Sequence, residues 1–449
     1  MMMHRSILSS LRLSLYLLVL GAVTLSRAEG NALPETIAIG LQTKQAAVRL
    51  SGLAPILLSA GGQDTLPLPA NLPIVCTGKN GGIAVQDANG IPLYTVKGIL
   101  RVAIDPAPPA TRERTPDAPA PLPQLRLLGP GRHYDGKPDR PYRGYFELLP
   151  KADGITVVNI VPLEAYLWGV VSSEMSPRYP LEALKAQAIA ARTYAARNIG
   201  RLSKLGFDLD DTAACQVYGG VFSEDPRTTR AVNETAGMVL TYGGKIIDAV
   251  YSSTCGGFTE SAEHAWGTAV PYLQSVADCH PDVAAPFTPR PTDEEGWAAF
   301  CKASRGPHCL QPKWANPEAF RWVRLLTRKE LETSLGLNDK IGTLHNLTVL
   351  KRGASGRITA LKVEGTTGAT TLEKELAIRK ALGGLRSSAF TVDIYRDDAG
   401  VPVVFAFWGG GWGHGLGMCQ VGAVGLADEG WAYNRILEHY YTGVKIERR

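Results

Sequence analysis

The segment Val161–Ala195 reads VPLEAYLWGVVSSEMSPRYPLEALKAQAIAARTYA, and its punctuation decides the fold around it. Pro162 and Pro180 each suit the first turn of a helix, where the ring presets φ and the missing N–H has no intrahelical partner anyway. Pro177 and Pro180 push Ser176 and Tyr179 out of the α region. The spacing therefore predicts two helices joined by a tight break over Ser172–Tyr179, with Glu174 at the break. The second helix, Pro180–Asn198, is the longest clear helix. Leu181, Leu184, Ala188, Ala191 and Ala195 fall near one face of it, and its many alanines suit close packing. A carboxylate at such a corner can be buried on one side and open to a cleft on the other. In that setting a Glu pKa can rise enough for acid catalysis. A lone Glu at a helix end is, by itself, more often a solvated charge.

The rest of the 449-residue chain has room for two or three domains, with an ordinary globular balance of 45% hydrophobic and 20% charged residues. The net charge of +5 is too modest to select a partner. Lys and Arg do not cluster with interleaved aromatics, so nucleic-acid binding is not expected. His4 and Arg5, the apolar stretch Leu11–Leu25 and the small residues of Ser26-Arg27-Ala28 form a signal-peptide pattern, with cleavage expected after Ala28. The apolar core is short for a membrane span, so an exported protein of the periplasm or cell wall is expected rather than an anchored one. Seven cysteines follow: Cys76, Cys215, Cys255, Cys279, Cys301, Cys309 and Cys419. Export makes disulfides the default, and pairing among Cys279, Cys301 and Cys309 is plausible. The absence of any Cys-x-x-Cys argues against a zinc ribbon.

Alternating apolar residues predict a β-rich region over 29–104, followed by a Pro/Ala-rich linker or loop at 105–124. From 125 to 449 strands and helices mix, interrupted by a Cys/Pro-rich insertion at 279–317. The fold class read from this order is α+β: a mixed sheet core with a long helix behind a substrate cleft. Three further stretches could carry chemistry. Gly409–Gly417 holds six glycines around His414, which permits positive φ and close backbone approach. It lacks the Gly-Lys-Ser/Thr of a nucleotide loop. His414 and Cys419 lack an orienting third group that would make a thiol nucleophile, so Cys419 reads as a buried small residue. Tyr251–His264, with its hydroxyls and Gly256-Gly257, suits a polar groove floor, and Cys215-Gln-Val-Tyr-Gly-Gly220 sets an amide and a phenol after a turn.

Together these stretches resemble the stage II sporulation protein D family of cell-wall proteins. The resemblance runs in the family's order from Arg143 through Ser173-Glu-Met, Leu181–Ala195, Gln216-Val-Tyr-Gly-Gly, Ser253-Thr-Cys-Gly-Gly, Ser355-Gly-Arg and Gly411–Gln420 to Ile436–Gly443, about the last two thirds of the chain. It implies a lytic transglycosylase that cuts peptidoglycan between N-acetylmuramic acid and N-acetylglucosamine and leaves a 1,6-anhydro end. Glu174 then stands at the family's essential acid. Met175, Trp168 or Tyr179 would desolvate it. Arg192 matches an Arg near that acid, and Ser173, Tyr194, Gln216, Tyr218, Ser253, Thr254 and His414 match positions lining the groove. Related members are described as modulators of N-acetylmuramoyl-alanine amidases, which makes a non-catalytic wall-binding partner of such an amidase the competing expectation. Two departures stand out. Ser176 separates Met175 from Pro177, where the family has Pro directly after Met. Some members hold zinc near the Ser253 strand through His and Cys; Ser252 replaces one such ligand, so no cofactor is expected and Cys255 is left as a single candidate ligand.

Overall fold

Strand Thr36–Gln45 buries Ile37 and Ile39 on one face and pairs antiparallel with Gly154–Pro162, from Thr36 opposite Pro162 to Gln45 opposite Ile155. Each such buried isoleucine contributes about 1.5–3 kcal/mol. The computed structural model describes residues 32–449 except 62–63, 106–123, 130–136, 279–289, 292, 303–312 and 314–316. The expected leader 1–28, nearly all of the Pro/Ala-rich stretch 105–124, Cys279, Cys309 and much of the insertion lie outside the described residues.

The Thr36–Gln45 strand sits second in a seven-stranded sheet that runs Leu209–Asp210, Thr36–Gln45, Gly154–Pro162, Tyr145–Lys151, Leu100–Ile104, Ile56–Ser59, Leu66–Leu68. A six-stranded sheet, Arg140–Tyr142 to Pro92–Lys97, places Ala47–Gly52 between Leu125–Leu128 and Ile74–Lys79. Strands from both sides of 105–124 are therefore hydrogen-bonded neighbours in both sheets. The β-rich N-terminal region is built into the same sheets as the strands that follow.

Strand Gly154–Pro162 passes directly into helix α1, Leu163–Glu174; helix α2 spans Leu181–Arg197 and helix α3 Pro226–Glu234. Pro162 and Pro180 serve as N-caps with extended ψ, one residue before the expected first-turn position. The α2 face read from the sequence is buried at Leu184, Ala188, Ala191 and Ala195, but so are Ala183, Ala186, Gln187, Ile189, Ala190 and Arg192. A helix buried nearly all round is central rather than a one-sided cover, and α2 packs against α1, α3 and the helices Gln420–Asp428 and Tyr433–Tyr440. A second apolar cluster around Trp322, Phe390, Phe405 and Phe407 holds the antiparallel sheets between residues 321 and 410. Mixed sheets with segregated helices make the chain α+β. Among the described residues, no helix is long and apolar enough to cross a membrane.

In the described part of the insertion, helix Glu294–Lys302 packs Trp297, Phe300 and Cys301 against Phe258. Cys301 is a free thiol. Its buried sulfur lies 3.8 Å from the Ala389 carbonyl, while Cys279 and Cys309, the other two cysteines considered for pairing, lie outside the described residues.

Candidate active site

Helix α1 ends at Glu174 because Met175 turns extended (φ −136°, ψ 143°), its N–H returning to the Val171 carbonyl. The Ser176 carbonyl then accepts the Tyr179 N–H at 3.1 Å. Pro177 thus falls second in a four-residue turn, a position its ring favours. Ser176 starts this turn, and its Oγ faces the Arg178 N–H at 3.4 Å. The corner that sets Glu174 is therefore closed with Ser176 in place.

Ser173 donates its hydroxyl to the Gly169 carbonyl at 2.7 Å and accepts the Gly219 N–H at 3.2 Å, which ties the loop 215–220 to α1. That loop can lie so close only over a glycine: a Cβ on Gly169 would stand 2.7 Å from a Tyr218 ring carbon. Tyr218 is buried, donates to Asn159 at 3.1 Å and packs against Tyr166 and Tyr142. Ser173 and Tyr218 thus position the loop, and the loop presents the Val217 N–H to Glu174 Oε1 at 2.8 Å.

Two more donors bear on the same half-buried carboxyl. Gln420 Nε2 lies 3.4 Å from Oε2 and 3.4 Å from the Glu174 carbonyl. The Tyr251 hydroxyl donates as well. Gln216, fully buried, orients that hydroxyl: its Nε2 donates to the Tyr251 oxygen at 2.9 Å, while its Oε1 accepts from the Tyr166 hydroxyl at 3.3 Å. Burial raises the Glu174 pKa above the usual carboxylate range, and the bonds from Val217, Gln420 and Tyr251 oppose that rise in this order. All three partners are neutral. Burial holds the Tyr251 phenol well above its ordinary value, with the nearby Glu174 charge adding to the effect, so it stays a donor.

His414 is half-buried; its Nδ1 accepts the Leu416 N–H at 3.0 Å, and its ring hydrogen-bonds the Tyr251 backbone. Burial, then the cationic Arg357 and Arg379, pushes its pKa down from 6.5 to about 4. It is therefore neutral at physiological pH and supports the strand that carries Tyr251. Because the folded value is depressed, its contribution to stability is present above pH 6.5 and is lost as pH falls toward about 4. The glycines around it behave as their density suggests: Gly411 has φ +78°, and a Cβ there would meet the Thr254 and Cys255 carbonyls at 2.8 Å. Thr254 is buried and exchanges backbone bonds with Trp412 in both directions. Ser253 is half-exposed, and its carbonyl accepts the Val421 N–H.

Like Gln216, Tyr218 and Thr254, two more of the anticipated groove residues are buried in structural contacts. Arg192 is wholly buried: it forks onto both Glu164 oxygens at 2.7 Å and donates to the Val232 and Met238 carbonyls. It offers no surface to a substrate. Tyr194 is 5% exposed, and its oxygen accepts from Arg201 at 2.8 Å. Trp168, expected to desolvate Glu174, donates to Asn233 and lies under the Arg143 guanidinium. Met175 and Tyr179 pack with Leu184 and Val424 beside the corner. Val217, the residue whose N–H holds Glu174, is among the residues that line a cavity of about 690 Å³, with Arg49, Tyr142, Asp211 and Thr212.

Sequence reasoning did not single out Tyr251 and Gln420. Both lie inside stretches it had marked, but a tyrosine after a strand and an amide after Met-Cys carry no signal of their own; only the parallel pairing of Tyr251–Ser252 with Met418–Cys419 brings them to one carboxyl. Tyr251→Phe removes a bond that favours the ionised form, so the Glu174 pKa is expected to rise further. If protonated Glu174 is the active form, the alkaline limb of the pH–rate profile moves to higher pH while His414, already neutral, leaves no limb between pH 5 and 8. Initial rates across pH for the two proteins check this.

A family model described as "Stage II sporulation protein" matches residues 151–242, which contain Glu174, Ser173, Gln216 and Tyr218. A "Domain of unknown function (DUF8618)" matches residues 260–417. Tyr251 falls between the two matches and Gln420 just beyond them. An uncharacterised protein of Brachyspira hyodysenteriae is 34% identical over 307 residues, 68% of this chain and 72% of the relative. A stage II sporulation protein D of Bacillus amyloliquefaciens is 32% identical over 304 residues, 64% of this chain and 75% of the relative. The amidase enhancer of Bacillus subtilis is 32% identical over 297 residues, 62% of this chain but only 40% of that longer relative. With a relative 32% identical over three quarters of its length and a family model that spans the Glu174 corner, this chain belongs to the stage II sporulation protein D family.

Proposed function

We propose that this chain is a peptidoglycan lytic transglycosylase, exported to the periplasm or wall, with Glu174 as its acid and then its base. The observation that carries the reading is the half-buried Glu174 carboxyl, raised in pKa by burial and faced only by the neutral donors Val217, Gln420 and Tyr251 among the groups that set its titration. A hydrolase needs a second group to activate water or attack the sugar. An anhydro-forming enzyme needs one carboxyl, because the substrate's C6 hydroxyl is already tethered near C1. Protonated Glu174 gives its proton to the bridging oxygen as the C1–O bond breaks. The C6 oxygen then bonds C1 and its proton passes to the Glu174 carboxylate, which ends as it began. In the interval when Glu174 is ionised, the three donors stabilise it.

The test is digestion of purified peptidoglycan, and of glycan strands freed of stem peptides, with mass spectrometry of the ends. Anhydro ends are lighter by one water than hydrolytic ends. If the wild-type chain yields none from either substrate, the reading fails. A second reading, a wall-bound modulator of an N-acetylmuramoyl-alanine amidase, is favoured by the similarity to a protein named amidase enhancer. It expects faster amidase turnover in the chain's presence with no new glycan ends.

A further inference from the structure

Behind the Glu174 corner lies a buried cluster that the proposed glycan chemistry does not use. Cys255, Asp278 and Cys419 are exposed by 2%, 0% and 0%, and their ligand atoms all lie within 4.8 Å of one another. They come from separate segments: Cys255 follows strand Tyr251–Ser252, Cys419 ends the parallel strand Met418–Cys419, and Asp278 follows the bridge between Phe258 and Ala277. Both sulfurs accept backbone N–H bonds, and the Cys255 thiol also donates to Asp278. The Cys255 and Gly422 N–H groups point at Cys419 Sγ at 3.2 and 3.3 Å, and the Gly257 N–H points at Cys255 Sγ at 3.3 Å. Asp278 Oδ2 accepts the Cys255 thiol at 3.0 Å, and its Oδ1 accepts the Tyr440 hydroxyl at 2.6 Å. Gly422 keeps this space open, since a Cβ there would stand 2.2 Å from the Tyr440 oxygen and 2.4 Å from Asp278 Oδ1.

We propose that Cys255, Cys419 and Asp278 form a structural binding site for a thiophilic divalent cation of the zinc class. Two sulfurs and one carboxylate oxygen at this spacing match the donor set and reach that such an ion takes, with a fourth, non-protein oxygen completing a tetrahedron. Both thiols lose their protons on binding, so the cation replaces two protons and leaves the net charge of the buried site unchanged. The Tyr440 hydroxyl, bonded to the second carboxylate oxygen, orients that ligand. The site joins the segment Tyr251–Cys255 to the start of helix Gln420–Asp428. It therefore fixes Tyr251 and Gln420, the two side chains on Glu174, relative to each other. The inference stands on the cluster itself and does not require that Glu174 be catalytic.

The test uses the full chain, reduced, loaded with zinc and dialysed against metal-free buffer. Elemental analysis is expected to give about one zinc per chain, and cobalt loading a thiolate-to-metal charge-transfer band. Cys419→Ser and Asp278→Asn are expected to lose the retained zinc, Tyr440→Phe to weaken affinity about 10–100-fold, and Cys215→Ser to leave both unchanged. A chelator should lower the melting temperature of the wild-type chain and added zinc should restore it. Failure of the wild-type chain to retain zinc or show the cobalt band overturns the proposal, whether or not the variants fold. So does equal zinc retention by folded Cys419→Ser, or a Cys255–Cys419 disulfide recovered from the exported protein.

Discussion

Glu174→Gln is expected to lower the formation of anhydro ends by about 10²–10⁴-fold, the range for loss of a general acid and base, while binding to glycan persists. The substitution keeps shape and leaves an oxygen to accept the Val217 N–H, so the corner at Met175 and the 215–220 loop should hold. What is lost is the exchangeable proton. Stability gives a second, independent readout. The folded pKa of Glu174 is raised by burial, so its favourable contribution is complete below the unfolded carboxylate value and is lost as pH rises through the folded value. At neutral pH the native state therefore carries the cost of a desolvated charge that Gln does not have. Thermal unfolding should show Glu174→Gln at least as stable as wild type at pH 8, with the advantage fading in acid. An inactive variant that also melts early at pH 8 would mean that the carboxyl is a structural element of the corner.

The sequence was informative where local rules act alone. Pro162, Pro177 and Pro180 mark two helices and a break because proline acts on its own φ and on its neighbour, and the structure ends α1 at Glu174 as that punctuation implies. The hairpin through Gly243-Gly244 and the Gly336 cap, at φ +61°, obey backbone rules of the same kind. Relations set by tertiary packing were not legible. The apolar positions of α2 at helical spacing suggest one buried face, yet the helix lies between α1, α3 and the last two helices, so Gln187 and Arg192 are buried as well. Strand Thr36–Gln45 reads as part of a separate region, because its partner Gly154–Pro162 lies more than a hundred residues on. Tyr251 and Gln420 reach Glu174 through a two-residue parallel pairing that no periodicity announces. Arg192 shows the limit most directly: residue type and family position fit a sugar-binding cation, and only burial and a forked partner assign it elsewhere.

Arg192→Ala is accordingly expected to destabilise the fold by about 3 kcal/mol, the lower end for breaking a buried ion pair, because Glu164 keeps 34% of its side chain in water. The guanidinium makes two bonds to Glu164 and one each to the Val232 and Met238 carbonyls. Truncation leaves those carbonyls without this donor and opens a cavity at the centre of α2. Arg192→Lys should recover little, since an ammonium cannot span four acceptors arranged for a planar fork. Glu164→Gln should cost less, about 1 kcal/mol, because its amide oxygen still accepts and the half-wet position tolerates the lost charge. Urea denaturation of the three variants at neutral pH measures the order. The order matters for function as well as for stability. Arg192 couples α2 to the first turn of α1 and to the end of α3, and Glu174 is the last residue of α1. A structural role predicts that loss of activity tracks loss of folded protein, with the substrate KM of the folded fraction unchanged. An Arg192→Ala chain with wild-type urea stability and a selectively raised KM would return Arg192 to the sugar-binding groove.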